Sequence, residues 1–167
     1  MNTSFDDSLS CLLQAEGGFS NNPNDSGGAT NHGVTQGTYG QYRKSKSLLP
    51  KDVQDISDVE VRDIYYYFYW LPASCDKLPA KLDALHFDCA VNCGVARASK
   101  ILQVAVGAKV DGIVGPMTLT LALSRDINST IKNYIKTRIN FYVDLTIKNT
   151  IELEFLKSWI NRTLYFL

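Results

Sequence analysis

EGGFSNNPNDSGGATNHGVT, from Glu16 to Thr35, is the stretch on which the reading of this 167-residue chain turns. Before it, Phe5, Leu9, Leu12 and Leu13 recur at helical spacing, with Thr3 and Asp6 placed as a capping pair. The helix is expected to run to about Glu16 and to stop at Gly17-Gly18, since glycine is the usual helix terminator. Pro23, Asn24-Asp25, Ser26 and Gly27-Gly28 are turn formers for separate reasons, so Asn21 to Thr30 reads as a turn or a short, loose hairpin. One carboxylate, Glu16, is thus left at a helix end, beside Leu12 and Leu13, where apolar surroundings disfavour its ionised form. A second, Asp25, lies in a polar turn and stays ionised. Hydrolysis of a glycosidic bond needs both states: an acid to protonate the leaving oxygen and a carboxylate to steer water. Thr30 is placed to hold that water. The spacing by itself also fits a solvated loop.

Outward from this stretch the chain is mostly helical. Thr35 is a good N-cap for a helix with Tyr39 and Tyr42 on one side, and Lys44 to Pro50 is a basic, polar connector. Ser57 and Glu60 form a capping box ahead of DVEVRDIYYYFYW, whose six consecutive aromatics, Tyr65 to Trp70, cannot all face one core. Either some of them stack on sugar rings, or the phenols lie half-buried with wet hydroxyls. Leu71-Pro72 ends that helix. Pro79 is expected to start the next, through Leu82, Leu85, Phe87, Ala90 and Val91 to Gly94; it is apolar on most sides and therefore central. Asn92 inside it needs partners, either as a backbone brace or toward a ligand. Further helices follow around Ala98–Ala105, Thr118–Leu121, Ile127–Ile151 and Phe155–Ile160, with a DGIVGP turn among them.

The totals exclude several classes. Lys+Arg and Asp+Glu are balanced at 17 each, so no basic field argues for nucleic acid. No apolar run is long enough to span a membrane. The N-terminus, MNTSFDDSLS, lacks the pattern of a secretory signal, so synthesis in the bacterial cytoplasm is expected. Cys89 and Cys93 stand four apart in a helix, poorly placed for a mutual disulfide, and read as reduced core residues. His86, Cys89 and Cys93 share a helical face, but no fourth ligand at a standard spacing accompanies them, and no metal site is assigned.

Glu16, Asp25 and Thr30 across a Gly-rich hairpin resemble the Glu–Asp–Thr set of phage-type lysozymes. The longer string EGGF-x-N-x-P-x-D-x-GG-x-T-x-x-GVT is more similar still to the muramidases of glycoside hydrolase family 108. Tyr69-Trp70 matches an aromatic pair usual there. FDCAVNCGVARASKILQ and DGIVGPMTL resemble the peptidoglycan-binding segment that completes such proteins, and FLKSWINR resembles their closing motif, so the likeness covers nearly the whole chain. In two places the chain departs from these patterns. Its hairpin is one residue shorter than in phage-type lysozymes, and Cys93 stands where His is frequent, so a polar contact near Asn92 is expected to be lost.

The resemblance implies a mainly α, α+β lysozyme-like fold with one small β-hairpin next to the catalytic Glu. It implies a catalytic segment over 1–80 and a helical peptidoglycan-binding segment over 81–167, packed as one lysozyme-like unit with a cleft. The implied activity is hydrolysis of the β-1,4 bond between N-acetylmuramic acid and N-acetylglucosamine, with Glu16 as general acid and Asp25 and Thr30 positioning water. Tyr69, Trp70 and Asn92 are the expected substrate contacts. No cofactor is implied. Peptidoglycan is the expected partner, with a holin or an export system for release to the periplasm and cell wall, and the protein is expected to be a monomer. A lytic transglycosylase and a non-catalytic wall-binding module are the rival readings.

Overall fold

The computed structural model describes residues 4–15, 18–20 and 28–167. Among the described residues it is mainly helical with one small antiparallel hairpin, as the sequence predicts. Two compact units divide the chain, Ser4–Tyr69 and Trp70–Leu167.

In the first unit, α1 (Phe5–Ala15) buries Phe5, Leu9 and Leu12. Its cap differs from the expected Thr3–Asp6 pair, of which Thr3 lies outside the described residues. Phe5 is the first helical residue, so Ser4 takes the capping position. The Ser4 hydroxyl accepts from the Asp7 amide at 3.1 Å and donates to the Asp7 carboxylate at 2.6 Å. Asp6 is thereby freed for an exposed ion pair with Arg62 at 2.7 Å. Two short strands follow, β1 (Thr30–Asn31) and β2 (Val34–Thr35). Thr35 caps α2 (Gln36–Ser45), its side chain accepting from the Thr38 amide at 3.2 Å.

The unit's polar interior joins α2 to α3 (Asp58–Tyr65). Buried Tyr39 donates to Glu60 at 2.9 Å, and buried Tyr42 donates to Asp63 at 3.1 Å. Burial and the Asp63 bond push the Tyr42 phenol up to about 12. Burial opposes the charge on Glu60, but bonds from Ser57 and Tyr39 and the nearby Arg43 outweigh it and hold the carboxyl below its usual range. The Ser57–Glu60 capping box forms as expected. The aromatic run, however, does not continue α3 as a regular helix. Tyr66–Trp70 winds as a π-helix, which re-aims successive rings. Tyr65 and Trp70 are buried, Tyr67 is exposed, and Tyr66, Phe68 and Tyr69 lie between.

The second unit is built on α4 (Leu82–Cys93), which packs against α5 (Val95–Val106) and α7 (Ile127–Lys148). The expected start at Pro79 moves to Leu82, because Lys81 adopts φ 71°, a value no right-handed helix contains. Gly94, at φ 83°, separates α4 from α5, and Gly107, at φ 68°, closes α5. Gln103, 1% exposed, organises the DGIVGP turn. Its side-chain oxygen accepts from the amides of Asp111 and Gly112, and its nitrogen donates to Asp111 and to the Ile113 carbonyl. Pro116 then opens α6 (Pro116–Ser124). The long helix α7 ends at Lys148 rather than Ile151, in a 3-10 turn over Thr150–Glu152 that leads to α8 (Leu153–Leu164). No helix among the described residues is long and apolar enough to cross a membrane.

Between α4 and α7 runs a ladder of three polar contacts, made from successive turns of α7. His86 Nδ1 meets the Tyr134 hydroxyl at 2.9 Å, Asp88 pairs with Arg138 at 2.7 Å, and Tyr142 donates to Asn92 at 2.6 Å. Numbers rise together along both helices, so the two run parallel. Arg162 of α8 donates to the other Asp88 oxygen at 2.7 Å. Replacing Asp88 with Asn leaves the fully buried Arg138 uncompensated, and should destabilise the protein by ~3–5 kcal/mol in chemical denaturation.

His86 is fully buried, and burial, aided by Arg138 and opposed by a bond to Ala73, lowers its pKa from 6.5 to about 4. The unfolded chain therefore takes up the proton first as pH falls. Stability from the neutral ring is complete above 6.5 and is lost as pH drops toward 4, at about 1.4 kcal/mol per unit of displaced pKa. Urea titrations across this range should show that slope, and His86→Gln should flatten it.

Candidate functional site

Of the expected catalytic residues, Glu16 and Asp25 lie outside the described residues, as does most of the expected Asn21–Thr30 hairpin. Thr30 lies inside them. Its backbone amide and carbonyl exchange two 2.8 Å hydrogen bonds with Ser20, so the chain on either side of residues 21–27 is tied together. The tight turn of the described hairpin comes later, at His32-Gly33, with Thr30 opposite Thr35 and Asn31 opposite Val34. His32 has φ 49° and Gly33 φ 73°. Positive φ at both central residues is the requirement of the type I′ turn, whose twist matches that of a hairpin.

Strand alternation puts Thr30 and Asn31 on opposite faces. Thr30 is partly exposed, and its hydroxyl has no hydrogen-bond partner among the described residues. Asn31 is buried and donates to the carbonyls of Val53 and Gln54. At the turn, the hydroxyl of buried Tyr65 donates to the His32 carbonyl at 2.9 Å. Tyr65 in turn lies against Tyr69, with ring centroids 5.8 Å apart. Tyr69 is thus one ring removed from the hairpin, and burial raises its phenol pKa. Thr30, Asn31, His32, Tyr65 and Tyr69 form one connected group, and this is the candidate site.

Trp70 and Asn92 belong to the other compact unit. Trp70 is 4% exposed and meets Phe87 edge-on at 5.3 Å, so its indole is a packing group with little face left for a sugar. Asn92 braces α7: its oxygen accepts from Tyr142, while its amide nitrogen makes no bond among the described residues. The contact expected to be lost at Cys93 is made by the thiol instead, which lies 3.4 Å from both Asn92 Oδ1 and the Tyr142 hydroxyl. All four cysteines are free. Cys89 and Cys93 sulfurs stand 4.0 Å apart. Hydrogen bonding from Cys89 brings the Cys93 thiol down to about 6, while burial pushes Cys89 up. His86 on the same face is engaged by Tyr134, and among the described residues no three His, Cys, Asp or Glu side chains are grouped as a metal site.

The sequence does not mark Asn31 as a site residue, nor Tyr65 as the anchor of the hairpin. The signal that would have found them is the I′ turn pair His32-Gly33, which defines a hairpin whose inward residue must be anchored.

Residues 9–94 match the family described as "Glycosyl hydrolase 108", and residues 97–164 match a "Predicted Peptidoglycan domain". The chain therefore belongs to the glycosyl hydrolase 108 family, and it is a glycoside hydrolase with a peptidoglycan-directed activity. Among solved structures it is similar to that of Brucella abortus SagA, with 28% identity, a TM-score of 0.76, and coverage of 97% of this chain and 94% of that one. No curated protein matches the chain.

The turn geometry has a direct consequence. Gly33→Ala places a Cβ at φ 73°, which should destabilise the protein by ~1–2 kcal/mol in chemical denaturation. His32→Gly should be neutral or stabilising in the same assay.

Proposed function

We propose that the chain is an N-acetylmuramidase that cleaves the β-1,4 bond between N-acetylmuramic acid and N-acetylglucosamine. The observation that carries this reading is the family match over residues 9–94, the span that contains Glu16, Asp25 and Thr30. Glu16 gives its proton to the leaving glycosidic oxygen as the bond to the anomeric carbon breaks. A water held by the Thr30 hydroxyl attacks that carbon, and Asp25 takes its proton. The Thr30 hydroxyl, unpartnered among the described residues, supports the water-holding role, because no described group takes up its lone pairs or proton. Attack by water on the face opposite the leaving group inverts the anomeric centre. Tyr69 offers a sugar-stacking ring beside the hairpin.

The biological reading follows from the substrate. The enzyme is made in the bacterial cytoplasm and acts on the wall as a monomer, reaching it through a holin-type pore or an export system, for lysis or for release of another protein.

The experiment is reducing-end release from purified sacculi. Glu16→Gln should lower activity by at least ~100-fold, the scale of a lost general acid, with the melting temperature unchanged. Asp25→Asn should give a smaller loss. Undiminished release by Glu16→Gln would remove Glu16 from the mechanism. Mass spectrometry of the products should show reducing muramic acid ends; anhydro-muramic ends would identify a lytic transglycosylase instead.

A further inference from the structure

A ribbon of two strands, each of two residues, has no stability of its own. Where the Thr30 hydroxyl stands is therefore decided by what grips the ribbon from outside. Besides the two backbone bonds between Ser20 and Thr30, three grips are present. At the root, the Gln36 amide donates to the Ala29 carbonyl at 2.9 Å. At the tip, Tyr65 holds the His32 carbonyl. Between them, directly beside Thr30, Asn31 Nδ2 donates to the Val53 carbonyl at 3.2 Å and to the Gln54 carbonyl at 3.0 Å.

The Asn31 grip is the most specific of the three. A primary amide carries two donor hydrogens on one nitrogen, matching two carbonyl acceptors; Asp offers none and Ser only one. Its acceptors are themselves fixed. They lie in the 3-10 turn Val53–Asp55, where Asp52 accepts from the Gln54 amide at 2.8 Å. Gln36 accepts from the Val53 amide at 2.7 Å and donates to the Lys51 carbonyl at 3.0 Å. Gln36 directly follows β2, so the hairpin and the 51–55 segment are locked from both ends. Val53 is fully buried, which gives the acceptors a rigid base. The Thr30 hydroxyl, on the opposite face, is left uncommitted among the described residues.

We propose that Asn31 is a positioning residue for the glycosidase reaction: by pinning β1 to the Val53 and Gln54 carbonyls, it sets where the Thr30 hydroxyl holds the attacking water. This rests on the water-holding role given to Thr30 above. Asn31 touches neither substrate nor water, and it acts through Thr30.

The test is a double-mutant cycle on the full chain. Thr30→Ala, Asn31→Ser and the double variant are compared with wild type for kcat and KM on soluble peptidoglycan oligomers, alongside thermal melting. Asn31→Ser should lower kcat ~10–100-fold, the scale of a misplaced reacting group, with little change in KM. In the Thr30→Ala background the same substitution should leave kcat almost unchanged, while lowering the melting temperature by the same amount in both backgrounds. A purely structural role predicts equal fold-losses in both backgrounds, or a loss that follows the unfolded fraction, and either result overturns the proposal. So does a Thr30→Ala variant with wild-type kcat. If Asn31→Ser does not fold, Tyr65→Phe, which keeps the ring and releases the His32 carbonyl, should show the same coupling to Thr30, and additivity there overturns the proposal. Glu16→Gln measured in parallel separates the two levels. Full activity in that variant unseats the enzymatic reading itself, whereas an inactive Glu16→Gln with additive Asn31 and Thr30 effects unseats the positioning role alone.

Discussion

One carboxylate organises the helical unit. Asp88 stands near the middle of α4 and accepts on one oxygen from Arg162 of α8, while its other oxygen pairs with Arg138 of α7, 2.7 Å each. Arg138 is completely buried. Burial works against its charge, but the surrounding Cys89, Asp88, Tyr142 and Tyr134 reverse that and raise its pKa. Desolvating such a pair consumes most of its Coulombic gain, so the net stabilisation relative to an apolar core is small. What the pair contributes is register. Apolar side chains tolerate a slip of one helix along another, but a buried guanidinium that finds its carboxylate at only one offset does not. With His86–Tyr134 and Asn92–Tyr142 above and below, α4 and α7 have one alignment in which all three rungs close.

The hairpin of the other unit follows the same logic at smaller scale. Its strands bury only Asn31 and Val34, so specific hydrogen bonds supplement the little packing they offer. Asn31 donates to the Val53 and Gln54 carbonyls, Tyr65 to the His32 carbonyl, and the Gln36 amide to the Ala29 carbonyl. Because those anchors come from segments far apart in sequence, the position of Thr30 depends on the whole of α2, α3 and the turn between them. The aromatic run enters here too. Tyr65 serves the hairpin, and the π-helix after it turns Tyr69 toward the same neighbourhood while Trp70 goes into a core.

Local signals are legible in the sequence. Helix caps at Thr35 and Ser57 and the terminator at Gly107 depend on a few adjacent residues, and each appears where expected. The helix starting at Pro79 was misplaced because a positive φ at Lys81 is imposed by tertiary context and has no compositional mark. The burial of Arg138 runs against the rule that a charged residue in an amphipathic helix faces solvent. Its spacing told otherwise: it lies four residues from both Tyr134 and Tyr142, on the face that the apolar pattern assigns to the core. The aromatic run was read as one helix because periodicity carries no information about a shift from α to π winding. At the site, Thr30 was found through its resemblance to a known motif. Asn31 was not, because its two acceptors are more than twenty residues away.

The two family matches meet between residues 94 and 97, yet the compact units meet between Tyr69 and Trp70. The difference is α4. By sequence it closes the hydrolase segment; by packing it is the central helix of the unit that contains the peptidoglycan-domain match. Tyr134, Arg138 and Tyr142 lie within residues 97–164, and each finds its polar partner on α4. Arg162, near the end of that match, finds its partner there as well. Without α4, the buried guanidinium of Arg138 would lose its carboxylate, and the face of α7 that meets α4 would stand open. The segment 97–164 is therefore not a self-sufficient binding module appended to an enzyme. Its packing draws on a helix that the hydrolase segment supplies.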